Sequence, residues 1–123
     1  MQPVILIADD ERDAAELLGK LLTIYFPAAL VRVAHGGRAA LDSAQHQPPD
    51  IAILDLEMPE LGGEELAALL RQTPREAPLH IVALSGDVMK LAALPGTGLF
   101  DCHLSKPVDT QQLVRVLKAQ LNA

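Results

Sequence analysis

A chain of 123 residues, half of them hydrophobic, can bury one sizeable core but is too short for two ordinary domains, so residues 1–123 are read as a single unit. Sixteen acidic residues against ten basic ones leave a formal charge of −6, which repels phosphate backbones and anionic membranes and speaks against either as a partner. Aromatic residues make up 2% of the chain, too few for a base-stacking platform, and the core is left to Leu, Ile, Val and Ala.

The opening stretch, Met1 to Ala8, is apolar but short, has no basic leader and runs straight into Asp9 and Asp10, which is not the pattern of a signal peptide. Its apolar part, Val4 to Ala8, predicts a first strand. Glu11 to Phe26 follows with helical spacing, placing Leu17, Leu18, Leu21, Leu22 and Tyr25 on one face. Leu30 to Ala34 predicts a second strand and Gly37 to Gln47 a second helix. Pro48 and Pro49 restart the chain before a third strand, Ile51 to Leu54, and a third helix, Gly63 to Gln72. Leu79 to Leu84 predicts a fourth strand. Asp87 to Leu94 then allows only about two helical turns before Pro95, Gly96 and Gly98 interrupt it. A weaker apolar run, Leu99 to Leu104, and a helix from Asp109 to Asn122 complete the chain. No apolar run reaches the roughly 18 residues of a membrane span. The single cysteine, Cys102, forms no internal disulfide and fits a reducing compartment, so a soluble cytoplasmic protein is expected.

Strand and helix alternate throughout, and the strands are continuously apolar rather than alternating. Such strands are covered on both faces, which predicts a doubly wound α/β fold around a five-stranded parallel sheet. In an open parallel sheet, ligands bind beyond the carboxyl ends of the strands, so the residues that terminate each run carry the information. The first run ends at Asp9 and Asp10, the third at Asp55 and the fourth at Ser85; Ser105 and Lys106 follow the fifth. Three carboxylates at one sheet edge repel one another unless positive charge is supplied, and a divalent cation is the simplest supply. Oxygen ligands without His or Cys select a hard ion such as Mg²⁺, with Mn²⁺ as an alternative. An Asp beside such an ion, a lysine and a hydroxyl can act as a nucleophile toward phosphorus. No Gly-rich phosphate loop and no dinucleotide fingerprint follow the first strand, so the phosphoryl donor is expected to be a separate molecule.

The set Asp9-Asp10, Asp55 in the segment Leu54 to Gly63, Ser85-Gly86 and Lys106-Pro107 resembles a response regulator receiver domain over nearly the whole chain. The resemblance implies a flavodoxin-like (βα)5 fold with strand order 2-1-3-4-5. It also implies transfer of a phosphoryl group to Asp55 from a histidine kinase or a histidine phosphotransfer domain, with self-catalysed transfer and dephosphorylation rather than turnover of a substrate. Asp10 would be the main direct metal ligand, Asp9 would help through water, and Asp55 and the backbone carbonyl of Glu57 would complete the protein's share. Ser85 and Lys106 would bind the phosphoryl oxygens. The face formed by the fourth helix, the fifth strand and the fifth helix would meet a downstream protein, the chain being a monomer or a weak homodimer, and the Lys106–Pro107 bond would be cis.

The family's aromatic switch position is His103 in this chain, and a ring substitute, a titrating group and a surface residue all stay open for it. Glu57 and Asp87, two positions after Asp55 and Ser85, read equally as a solvated acidic rim or as residues that tune access to the acyl phosphate. Cys102, His103 and His80 have no zinc-like spacing, and strand alternation turns Cys102 and His103 to opposite faces. His35 and His46 are read as loop and surface residues. A haloacid-dehalogenase-like phosphatase would share the aspartyl phosphate, but it needs its nucleophile on the first strand and an Asp where Glu57 stands. A phosphorylation-independent scaffold would not need Asp9, Asp10, Asp55, Ser85 and Lys106 together. The free-standing regulator and the domain of a hybrid sensor kinase stay open as parent architectures.

Overall fold

Val, Ile and Leu suit a pleated surface covered on both sides, and the five apolar runs become strands. The computed structural model describes residues 2–75 and 77–121. In it β1 (Val4–Ala8), β2 (Leu30–Ala34), β3 (Ile51–Asp55), β4 (His80–Ser85) and β5 (Cys102–Ser105) alternate with helices. These are α1 (Arg12–Tyr25), α2 (Gly37–His46), α3 (Gly63–Gln72), α4 (Val88–Ala93) and α5 (Thr110–Leu121). Every strand pair is parallel and the spatial order is β2-β1-β3-β4-β5, the flavodoxin-like topology. The chain moves outward from β1 to β2 and then returns past β1 to β3. The direction of winding therefore reverses between β1 and β3, and it is beyond the carboxyl ends of the strands at such a reversal that open parallel sheets bind their ligands.

Strand alternation sorts the core into two layers. Ile5, Ile7, Ile51, Ile53, Val82 and Leu84 pack with Leu22 of α1 and Leu113 and Leu117 of α5. On the other face Leu6, Leu54 and Ile81 pack with Ala40 of α2 and Leu66, Ala67 and Leu70 of α3. A smaller cluster of Leu56, Ala83, Leu91 and Leu94 lies under α4. Each Leu or Ile moved from water into this interior contributes roughly 1.5–3 kcal/mol. The centre of the sheet is thus the most firmly held part of the molecule, and it carries the strand ends described below.

Four details depart from the sequence-based expectation. The packed face of α1 is rotated: Ala15, Gly19 and Leu22 are buried, while Leu17 is 60% and Tyr25 46% exposed. Leucine spacing satisfies two overlapping stripes, and the small residues decide between them. A Cβ at position 19 would lie 2.7 Å from Val33 Cγ2, so only glycine lets the helix approach β2 this closely. Secondly, β3 and β4 each end one residue later than predicted, at Asp55 and Ser85, and β4 starts at His80 rather than Leu79. Thirdly, β5 starts at Cys102 rather than Leu99, because the glycine-rich turn runs on and a side chain of α3 holds it. The Arg71 guanidinium donates to the Leu99 carbonyl from Nε (3.2 Å) and Nη2 (3.0 Å), to the Leu79 carbonyl from Nη1 (2.6 Å) and to Asp101 Oδ2 from Nη2 (2.7 Å). The same Asp101 oxygen accepts the Ile81 amide at 2.8 Å. Burial opposes the charge on Asp101, but the Ile81 amide, Arg71 and His80 outweigh it and hold the carboxyl below its ordinary value. Finally, the last helix starts at Thr110 rather than Asp109; it is described to Leu121, and its predicted end, Asn122, lies outside the described residues, as does Met1 of the opening stretch.

Candidate functional site

Parallel register sets the strand ends level. Ala8 pairs with Leu54, Asp55 with Leu84 and Ser85 with Ser105. The ladder then runs one step further: the Asp9 amide donates to Ala34 O (3.1 Å), Leu56 to Leu84 O (2.9 Å) and Lys106 to Ser85 O (2.9 Å). Backbone hydrogen bonds therefore hold Asp9, Asp55, Ser85 and Lys106 at one edge, although Asp9 and Lys106 are 97 residues apart in sequence.

The loop after Asp55 is built to press against it. A Cβ at position 63 would lie 2.5 Å from the Asp55 carbonyl oxygen, so glycine alone lets α3 begin there. Leu56, Met58 and Leu61 are buried and anchor the loop, which turns Glu57, Pro59 and Glu60 outward. Glu60 adopts φ 67° in a three-residue turn closed by the Leu61 amide on Pro59 O at 2.8 Å. Asp9 Oδ1 accepts the Glu11 amide at 2.9 Å, which positions the start of α1. The Lys106–Pro107 bond is cis.

Carboxylate oxygens of Asp9, Asp10 and Asp55 all lie within 4.8 Å of one another. Asp9 and Asp55 are buried and Asp10 is exposed. At that separation two buried carboxylates repel by roughly 3 kcal/mol at an effective dielectric constant of about 20. Lys106 Nζ sits between them, 3.2 Å from Asp9 Oδ2 and 3.2 Å from Asp55 Oδ2. Burial lifts the Asp55 carboxyl to about 6; the Glu57 amide, donating to its Oδ1 at 3.1 Å, and the Lys106 charge oppose that rise, and Asp9 adds to it. Burial disfavours the charge on Lys106, yet Asp55 and Asp9 together raise its ammonium above the ordinary lysine value. One lysine thus leaves the three acids short of positive charge, and this oxygen-only donor set suits a hard divalent cation.

The response regulator receiver domain model matches residues 5–118. The chain belongs to the response regulator receiver family. This receiver is 33% identical over 117 residues to response regulator MprA of Mycobacterium avium, covering 95% of the chain and 50% of that protein. It therefore spans half the length of that relative. A 14.6 kDa protein of Leptolyngbya boryana is 32% identical over 117 residues, covering 93% of the chain and 86% of that protein. A receiver domain structure from Methylobacillus flagellatus superposes with a TM-score of 0.85 at 29% identity, covering 98% of the chain and 99% of its own.

The other residues singled out from the sequence fall into distinct places in this receiver. Ser85 is fully buried, and its hydroxyl donates to Glu57 Oε1 at 2.5 Å while accepting the Asp87 amide at 2.9 Å. The Asp87 carboxylate caps α4 through the amides of Met89 and Lys90, at 3.0 and 3.2 Å. His103 is exposed on β5, in register with Ala83 on the α4 side of the sheet. Cys102 packs on the opposite side, against the layer beneath α1 and α5, and burial pushes its thiol up, away from the thiolate a metal would need. His35 meets Glu16 at 2.8 Å, and His46 meets the Asp42 carbonyl at 2.8 Å within α2. Two contacts were beyond sequence reasoning: the side-chain bond from Ser85 to Glu57 and the Arg71 clasp. A carboxylate two residues after Asp55 was the one signal for the first; nothing in the local pattern marks the second.

Proposed function

We propose that this receiver accepts a phosphoryl group on Asp55 from a phosphohistidine of a histidine kinase or a histidine phosphotransfer domain. The carrying observation is the buried Asp55 carboxylate at the end of β3, 3.2 Å from Lys106 Nζ and clustered with Asp9 and Asp10. An Asp55 oxygen forms a bond to phosphorus as the phosphorus–nitrogen bond of the donor breaks. The electron pair stays on the imidazole nitrogen, and a ring protonated at its other nitrogen leaves neutral. Lys106 offsets negative charge on the phosphoryl oxygens, and the Ser85 hydroxyl hydrogen-bonds one of them. Asp10, Asp55 and the Glu57 carbonyl would hold Mg²⁺ or Mn²⁺, with Asp9 assisting through water. When bound, that ion supplies the positive charge that the acids lack.

An apolar cavity of about 520 Å³ adjoins the acceptor, lined by Ala14, Leu17, Leu18 and Leu21 of α1 and by Pro107 and Val108, with Asp9 and Lys106 at its edge. An apolar helix carrying the phosphohistidine fits this surface, since docking there brings the donor beside Asp55. The downstream protein meets the α4-β5-α5 face, where Val88, Met89 and His103 are exposed. We take residues 1–123 as one receiver unit working in the cytoplasm.

Intact mass after incubation with phosphoramidate, with and without Mg²⁺, tests the assignment. We expect one Mg²⁺-dependent, hydroxylamine-labile phosphoryl group on the chain and none on Asp55→Asn. Labelling of Asp55→Asn would place the acceptor elsewhere. Release of phosphate without an adduct would favour a phosphatase.

A further inference from the structure

We propose that the Glu57 carboxylate competes with the incoming phosphoryl group for the Ser85 hydroxyl, so that phosphorylation must displace Glu57. The inference rests on the reading of Asp55 as phosphoacceptor and concerns how that same site is regulated. A serine hydroxyl carries one proton, and that of Ser85 is given to Glu57 Oε1. A lone pair of the same oxygen is engaged by the Asp87 amide at 2.9 Å. With its side chain fully buried, Ser85 has its one donor committed. A phosphoryl oxygen needs that proton, and two anionic acceptors cannot both hold it.

Glu57 is placed for such competition. Its amide is anchored to Asp55 Oδ1 at 3.1 Å, so one residue touches both the acceptor carboxylate and the hydroxyl that would serve the product. It is exposed, which lets its side chain swing into water while its backbone stays in place. In this arrangement Glu57 presents to Ser85 an anionic oxygen of the same kind as a phosphoryl oxygen, and it is a positioning residue that acts through Ser85.

Loss of Glu57 would also remove a negative charge that repels an anionic donor, so the test must separate the two effects. Initial rates of adduct formation with phosphoramidate and Mg²⁺ are measured for the wild type, Glu57→Ala, Glu57→Asp, Ser85→Ala and the Glu57→Ala/Ser85→Ala double variant. Thermal melts confirm that each is folded. We expect Glu57→Ala to be faster by about tenfold, the scale of one charge-assisted hydrogen bond. Glu57→Asp, which keeps the charge but loses the reach, should match it. In the Ser85→Ala background the acceleration should vanish. An equal acceleration in that background, a wild-type rate for Glu57→Asp, or no acceleration at all would each overturn the competition while leaving Asp55 as acceptor. Absence of an adduct on every folded variant, the wild type included, would remove the acceptor reading itself and the competition with it.

Discussion

Asp55 combines burial, a fixed cation and two neighbouring acids, and its protonation links the site to stability. Its folded value of about 6 lies above the ordinary 3.8, so the folded state holds the proton more tightly. Between those values the folded chain binds more protons than the unfolded one, and stability falls as pH rises from about 4 to about 6 and stays lower above. A shift of about two units corresponds to roughly 3 kcal/mol. Asparagine removes the charge but also the ion pair with Lys106, so metal-free Asp55→Asn should be more stable at pH 7 by on the order of 2 kcal/mol. Urea unfolding of both proteins across pH 4–7 checks this. Equal stability at pH 7, or a wild-type curve that rises between pH 4 and 6, would contradict the burial argument.

At the level of elements, the loop between β3 and α3 and the outer face of α1 make separate demands. Gly63 lets the first turn of α3 lie against the Asp55 carbonyl, where an added Cβ would be 2.5 Å from backbone oxygen. We expect Gly63→Ala to push the loop away, to lower stability by about 1–3 kcal/mol as overpacking does, and to slow labelling of Asp55. A circular-dichroism melt and the phosphoramidate assay read the two effects. Leu17 and Ile24, in contrast, are 60% and 73% exposed on α1 and pack against nothing in the core. Leu17→Gln and Ile24→Gln should therefore change stability by less than about 0.5 kcal/mol. Leu17→Gln, at the cavity beside the site, should slow transfer from a phosphohistidine protein without altering labelling by phosphoramidate. Slowing by both donors would assign Leu17 to the chemistry rather than to docking.

For the molecule as a whole, the doubly wound topology makes the site a shared property of four strands. Metal binding that neutralises the acids at their ends should stabilise the entire domain, by about 2.7 kcal/mol at a free ion concentration one hundred times Kd. Because Asp55 must be ionised, protons compete with Mg²⁺, and the stabilisation should shrink as pH falls through about 6. Melting temperatures with and without Mg²⁺ at pH 7.5 and 5 measure this. A Mg²⁺ shift independent of pH, or one retained in Asp10→Asn, would place the ion elsewhere.

Much of this receiver was legible in the chain itself. Strands buried on both faces must be continuously apolar, so Val4–Ala8 and Ile51–Asp55 marked themselves almost to the residue. Chemistry in a parallel sheet gathers at carboxyl ends, so Asp9, Asp10, Asp55, Ser85 and Lys106 stood out as the polar groups that close those runs. The face of α1 was less legible: leucine periodicity permits two stripes, and the packing of Gly19 against Val33 chooses one. The late start of β5 depends on Arg71, a residue of α3 that reaches across to Leu99 and Asp101. Sequence determined the element types and the candidate acids, because burial pattern and turn chemistry are local. Only the tertiary structure decided that Lys106 bridges Asp9 and Asp55 and that Glu57 holds Ser85, because those contacts join side chains whose separation along the chain carries no information about their distance in space.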